Sequence, residues 1–148
     1  DVDPGAVERN YRRVRKRGEE SMLPLWLDLT NPSPALGWAH QERASLVERG
    51  RPDVVMALAL IHHLAISNNL PLDRISGFLA SLSDHLVIEF VPKSDPKVET
   101  LLATRADIFP HYTREGFESA FSKDWKIEEA AEITFSDRVL YRLSLRSV

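Results

Sequence analysis

The stretch Pro52-Asp53-Val54-Val55-Met56-Ala57-Leu58-Ala59-Leu60-Ile61-His62-His63-Leu64 constrains this chain more than any other. An unbroken apolar run, opened by Pro-Asp and closed by paired histidines, reads as a strand from Asp53 to Leu60 buried on both faces. Such a strand belongs in a covered, largely parallel sheet, because a sheet wet on one face alternates apolar and polar residues instead. Ligands of open α/β sheets sit outside the carboxyl ends of the strands. His62 and His63 are thereby placed beside any site the fold possesses.

The rest of the chain supplies alternating partners for that strand. Asp3-Pro4 opens a helix, since Asp accepts from free backbone N–H groups and Pro suits the first helical position. Val7, Tyr11 and Val14 follow at helical spacing, with Gly18 as the stop. The opposite face carries Arg9, Arg12, Arg13, Arg15, Lys16 and Arg17, a basic run of the kind that is usually a solvated helix face. Met22 to Leu29 reads as a second strand ending at Asp28, and the Pro-rich Thr30 to Trp38 as a loop. Gln41 to Arg49 suggests a short helix. Leu72, Ile75, Leu79 and Leu82 form an amphipathic stripe after Pro71. His85 to Val91 is a further strand, apolar except for Glu89, and Asp95-Pro96 repeats the helix-start chemistry. Thr113 caps a helix burying Phe117, Ala120 and Phe121, and Trp125 to Ile133 with Arg138 to Leu145 makes a hairpin. Strand and helix in alternation predict an α/β fold with parallel strands and an antiparallel C-terminal hairpin.

Composition narrows the chemistry. The 148 residues suffice for one domain, and a net charge of -3 argues against a general nucleic-acid binder. With 0 cysteines there is no disulfide, thiolate nucleophile or Cys-based zinc site, which suits a cytoplasmic protein. No apolar segment is long enough to span a membrane and no signal peptide is evident. His40, His85 and His111 are scattered, and no His-x-x-x-His spacing supports a zinc hydrolase, so no metal ligands are assigned.

Several segments together resemble a class I S-adenosylmethionine-dependent methyltransferase, and more narrowly a bacterial nodulation-type group. They are the Asp-Val-Asp-Pro-Gly-Ala-Val-Glu-Arg-Asn-Tyr opening, Asp28-Leu-Thr-Asn-Pro-Ser-Pro-Ala-Leu-Gly-Trp38 and Ala57-Leu-Ala-Leu-Ile-His-His-Leu64, followed by Glu89-Phe-Val-Pro-Lys93 and Asp107-Ile-Phe-Pro-His-Tyr112. The resemblance implies a single partial domain over 1–148, with a Rossmann-like, mostly parallel sheet supplied from its third strand onward. The first strand and its glycine-rich loop are then missing, as in a piece of a longer chain. The absent strands leave the flank of the Asp53–Leu60 strand open, a place for another chain or for a second copy in a homo-oligomer.

The resemblance also implies roles. Asp1 would bond the cofactor ribose hydroxyls, Asp28 the adenine amine, and Leu29 the ring. Leu58, Ala59 and Leu60 would line the methionine end of S-adenosylmethionine. His62 and His63 would face an unidentified acceptor. Adjacent residues on an extended backbone point to opposite sides, so one of the two is expected at the site, and His63 is preferred as a general base. The competing reading is a non-catalytic methyltransferase-like interaction module. Helix capping or turn chemistry accounts equally for Asp1 and Asp28, and Glu89 is read as structurally paired. Trp26, Trp38 and Trp125 are expected in the core.

Overall fold

A computed structural model describes residues 1–146, and residues 147–148 of the expected single domain lie outside the described residues. The chain divides into two compact units, Asp1–Arg49 and Gly50–Val148.

In the first unit, α1 (Pro4–Arg17) forms as its caps dictate. The Asp3 carboxylate accepts from the Gly5 N–H at 2.8 Å, and Gly18 takes the left-handed conformation (φ 62°) that lets its N–H reach the Arg15 carbonyl. Arg15, Lys16 and Arg17 crowd the last turn, where the helix dipole favours positive charge. Val14 is the one fully buried side chain of this unit among the described residues.

The expected strand from Met22 to Leu29 does not form as regular structure. Its own unit holds no sheet among the described residues, and Met22, Leu23, Leu25 and Trp26 are exposed. One backbone interaction of strand type remains. The Asp1 amino group donates to the Leu25 carbonyl at 3.1 Å, and the Leu27 N–H donates to the Asp1 carbonyl at 3.0 Å. Two bonds straddling one residue in this way are the parallel-ladder pattern. The helix expected from Gln41 to Arg49 shrinks to a single turn at Val47–Arg49, and a second turn, Trp38–His40, falls where only loop was expected. Trp26 and Trp38 are exposed rather than core; only Trp125 is buried.

The second unit carries a four-stranded sheet in the order β1-β2-β4-β3. Its strands are β1 (Val55–Ala57), β2 (His85–Phe90), β3 (Trp125–Glu132) and β4 (Val139–Leu145). β1 and β2 are parallel, with Ala57 opposite Ile88. β4 inserts antiparallel between β2 and β3, pairing Leu86 with Leu143 and Ile88 with Tyr141. A parallel pair and an antiparallel hairpin are both present, but among the described residues two of the three pairings are antiparallel, because β4 returns directly beside β2, so the sheet is not the mostly parallel one expected.

Helices α2 (Leu72–Leu82), α3 (Pro96–Leu102) and α4 (Arg114–Phe121) follow the expected caps and stripe. The Asp95 carboxylate accepts from Lys97 N–H and the Thr113 hydroxyl from Gly116 N–H. α4 sets Phe117 against Phe90 and Tyr141, with ring centroids 5.3 and 4.9 Å apart, and α2 lies beside α4. Burying rings of this size is the main stabilisation the unit has.

The Asp53–Leu60 run differs from its expectation in two ways. Only three residues pair, and one face is bare: Met56 is 66% exposed, and Val54 and Leu58 are also exposed. The face that Ala57 shares with Leu86, Ile88 and Phe90 is the buried one, and Phe117 of α4 packs on it at Phe90. On the other flank of β1 no strand pairs among the described residues. Apolar composition on both faces reports what a strand can bury, not what is present to cover it.

Candidate functional site

Because β1 and β2 are parallel, the segments that leave them, Leu58–His63 and Val91–Asp95, emerge at the same end of the sheet. This is the end at which α/β sheets bind ligands. The chain turns away from β1 at Ala59, which adopts φ 49°.

 A left-handed backbone costs a residue with a side chain about 1 kcal/mol, so something must hold it. Glu89 does. Its Oε2 accepts the Ala59 N–H at 2.6 Å, 30 residues away in sequence.

Glu89 is itself gripped. Arg138, immediately before β4, donates from Nη1 to Glu89 Oε1 at 3.1 Å and from Nε to Asp95 Oδ2 at 2.6 Å. Asp95 also caps α3 through its Oδ1. Both carboxylates are almost fully buried, and a guanidinium fork between them supplies the positive charge that buried acids need. The Arg138 hydrogen bond holds the Asp95 carboxyl below the usual carboxylate range despite its burial, and the same bond raises Arg138. Glu89 is thus structurally paired, as its sequence setting implies.

The paired histidines are not on extended backbone. The chain turns helical at Ile61, and His63–Ser67 form a wide π-type turn, a geometry often found at functional sites. The opposed-side expectation therefore fails for a physical reason: successive residues on a helical turn diverge by about 100° rather than 180°. The two rings lie 4.2 Å apart, His62 being 2% exposed and His63 open to solvent. Burial pushes the His62 imidazole down to about 4, helped by the positive fields of His63 and Arg138 and opposed by Asp95 and Glu89. His62 is therefore neutral near pH 7, and its Nδ1 has no hydrogen-bond partner.

Of the other residues singled out in the sequence, Leu58 is exposed, Ala59 forms the kink, and the Leu60 carbonyl accepts from the His63 and Leu64 N–H groups. Asp1, Asp28 and Leu29 belong to the first unit. The Asp1 Oδ1 accepts the Asp3 N–H at 2.9 Å. Asp28 follows the Leu27 amide that Asp1 binds, and its Oδ1 accepts from the Thr30 hydroxyl and N–H at 2.7 and 2.8 Å. Those Thr30 bonds hold the exposed Asp28 carboxyl below its usual range. Leu29 is half-buried.

A cleft of about 570 Å³ opens between Asn69–Asp73, the connection Ile108–Tyr112 and α4. Its outer wall is pinned by Arg105, which donates to the Ile66 carbonyl and to Asn69 Oδ1 and lies over the Phe109 ring. Lys93 bridges to Asp107 at 2.7 Å in the same connection. No group of three or more metal-ligating side chains converges among the described residues. No helix there is long and apolar enough to cross a membrane.

The sequence is 40% identical over 141 residues to nodulation protein NoeA of Rhizobium meliloti (strain 1021), a match covering 95% of this chain. The chain spans 29% of that protein's length. No family model matches the sequence, and no solved structure matches it.

Sequence reasoning missed Arg138 and the second use of Asp95. The available signal was Glu89 itself, an acid inside an apolar strand that requires a cation from elsewhere. The sequence does not say which of its arginines supplies it.

Proposed function

We propose that this chain is part of an S-adenosylmethionine-dependent methyltransferase acting on an acceptor of unidentified class, its second unit being one side of a Rossmann-like sheet. The observation that carries the reading is the parallel pair β1–β2, extended by an antiparallel hairpin, with Glu89, Asp95, Arg138 and both histidines gathered at its carboxyl end. The backbone contacts of Asp1 with Leu25 and Leu27 set Asp1 beside the 22–29 run, where Asp28 also lies. The similarity to a nodulation protein is compatible with the reading and names no reaction.

Within the first unit the acceptors suit the cofactor's polar groups. Carboxylates at Asp1 and Asp28 accept only, matching ribose hydroxyls and an exocyclic amine, and each keeps lone pairs beyond its turn bonds. Taken unit by unit, Leu29 in the first suits apolar contact to an adenine ring, and Leu58, Ala59 and Leu60 in the second suit a backbone wall for the methionine end. When bound, S-adenosylmethionine supplies an already activated methyl group. What remains for the protein is positioning and the fate of one proton. In this reading His63, open to solvent, accepts that proton from the acceptor on an imidazole nitrogen. His62 packs behind it as a neutral ring.

A second reading has its own support. The unpaired flank of β1 and its exposed Met56 suit a methyltransferase-like module completed by another chain, including a second copy of this one. Cytoplasmic placement belongs to both readings.

Calorimetric titration of S-adenosylmethionine into this chain and into the full chain as the organism makes it separates them. Saturable binding by the full chain supports the enzyme. Absence of binding in both leaves the interaction module.

A further inference from the structure

We infer that Glu89 is a positioning residue, whose task is to hold the Ala59 amide and so fix the kink that aims Leu58, Ala59 and Leu60 at the bound ligand and starts the turn carrying His62 and His63. The inference rests on the methyltransferase reading for the ligand's identity, but its geometry stands alone.

Ala59 has a positive φ without being glycine, and its N–H is taken by a single acceptor, Glu89 Oε2, at 2.6 Å. At that distance the amide and the carboxylate oxygen are in direct hydrogen-bond contact. The second oxygen of Glu89 faces Arg138 at 3.1 Å. Both oxygens are therefore engaged by donors.

A glutamine in its place has one oxygen and one NH₂. If the oxygen serves Ala59, the NH₂ meets the Arg138 guanidinium; if it serves Arg138, the NH₂ meets the Ala59 N–H. One donor–donor conflict is unavoidable, although volume and shape are preserved. Glu89 sits on β2 and Ala59 beyond β1, so the bond ties the register of the parallel pair to the direction in which the chain leaves it. Arg138 and Asp95 extend the tie to the start of β4 and the cap of α3. The start of the histidine turn is thus fixed from β2, β4 and α3 together.

The test compares wild type, Glu89→Gln, Ala59→Gly and the double variant in the full chain. Amide exchange is read at Ala59 and at Leu86 and Ile88, with S-adenosylmethionine affinity read by calorimetry. In Glu89→Gln, exchange at Ala59 accelerates on the order of tenfold or more while Leu86 and Ile88 keep their protection. Affinity falls on the order of tenfold. Glycine adopts the left-handed conformation without cost, so Ala59→Gly added to Glu89→Gln recovers much of the affinity, a rescue that general loss of stability does not give. Unchanged exchange at Ala59 in Glu89→Gln overturns the proposal, as does accelerated exchange with unchanged affinity. If wild type binds no S-adenosylmethionine, the methyltransferase reading fails, and the exchange comparison alone decides whether Glu89 holds the kink.

Discussion

Arg138 stands between Glu89 and Asp95, 3.1 Å from one carboxylate and 2.6 Å from the other, at the end of the sheet where its parallel strands finish. Three charges share one partly dry place, and each depends on the others. Removing Arg138 strands two buried carboxylates. Arg138→Leu is expected to destabilise the fold by about 3–5 kcal/mol. Arg142→Leu breaks an exposed pair with Glu129 at 3.4 Å and costs under about 1 kcal/mol. Urea denaturation of the two variants measures the difference, and equal losses would show that burial of the cluster contributes nothing.

His62 predicts a pH dependence whose sign follows from its lowered value. The unfolded imidazole takes up a proton as pH falls below about 6.5, whereas the folded one resists until about 4. Between those values the unfolded state binds more protons, so stability declines as pH falls through this window and is unaffected by His62 above it. The loss attributable to His62 approaches roughly 2–3 kcal/mol near pH 4. His62→Asn cannot titrate, so its melting temperature relative to wild type improves between pH 7 and 4.5. A constant difference over that range contradicts the buried, neutral imidazole.

The bare face of β1 predicts a chemical difference between this chain and a longer one. Met56 is 66% exposed, so peroxide converts it readily to the sulfoxide in this chain. If neighbouring strands complete the sheet in the full chain, oxidation of Met56 there is slower by on the order of tenfold. Peptide mass spectrometry after timed exposure reads both rates. Equal rates would mean that the flank stays open.

What could be read from the sequence alone was local. Asp3, Asp95 and Thr113 announce helix starts because a cap satisfies N–H groups only two or three residues away. The Ile75–Leu79 stripe and the hairpin from Trp125 needed no distant information either. The Met22–Leu29 and Asp53–Leu60 runs were harder, because an apolar run states a capacity for burial while pairing depends on backbone elsewhere. Leu23 and Met56 are exposed for that reason. The histidine turn was hidden too. Ala59 gives no sign of a positive φ, and its support comes from Glu89, whose own partner is 49 residues further on.

The most direct test of the methyltransferase account is amide-resolved NMR of the full chain titrated with S-adenosylmethionine. Within the second unit the account predicts saturable shifts at Leu58–Leu60, with smaller ones at His62 and His63; within the first it predicts them at Asp28 and Leu29. Saturable shifts confined to the cleft lined by Leu70, Ile108 and Ala120, or no shifts at all, would contradict it.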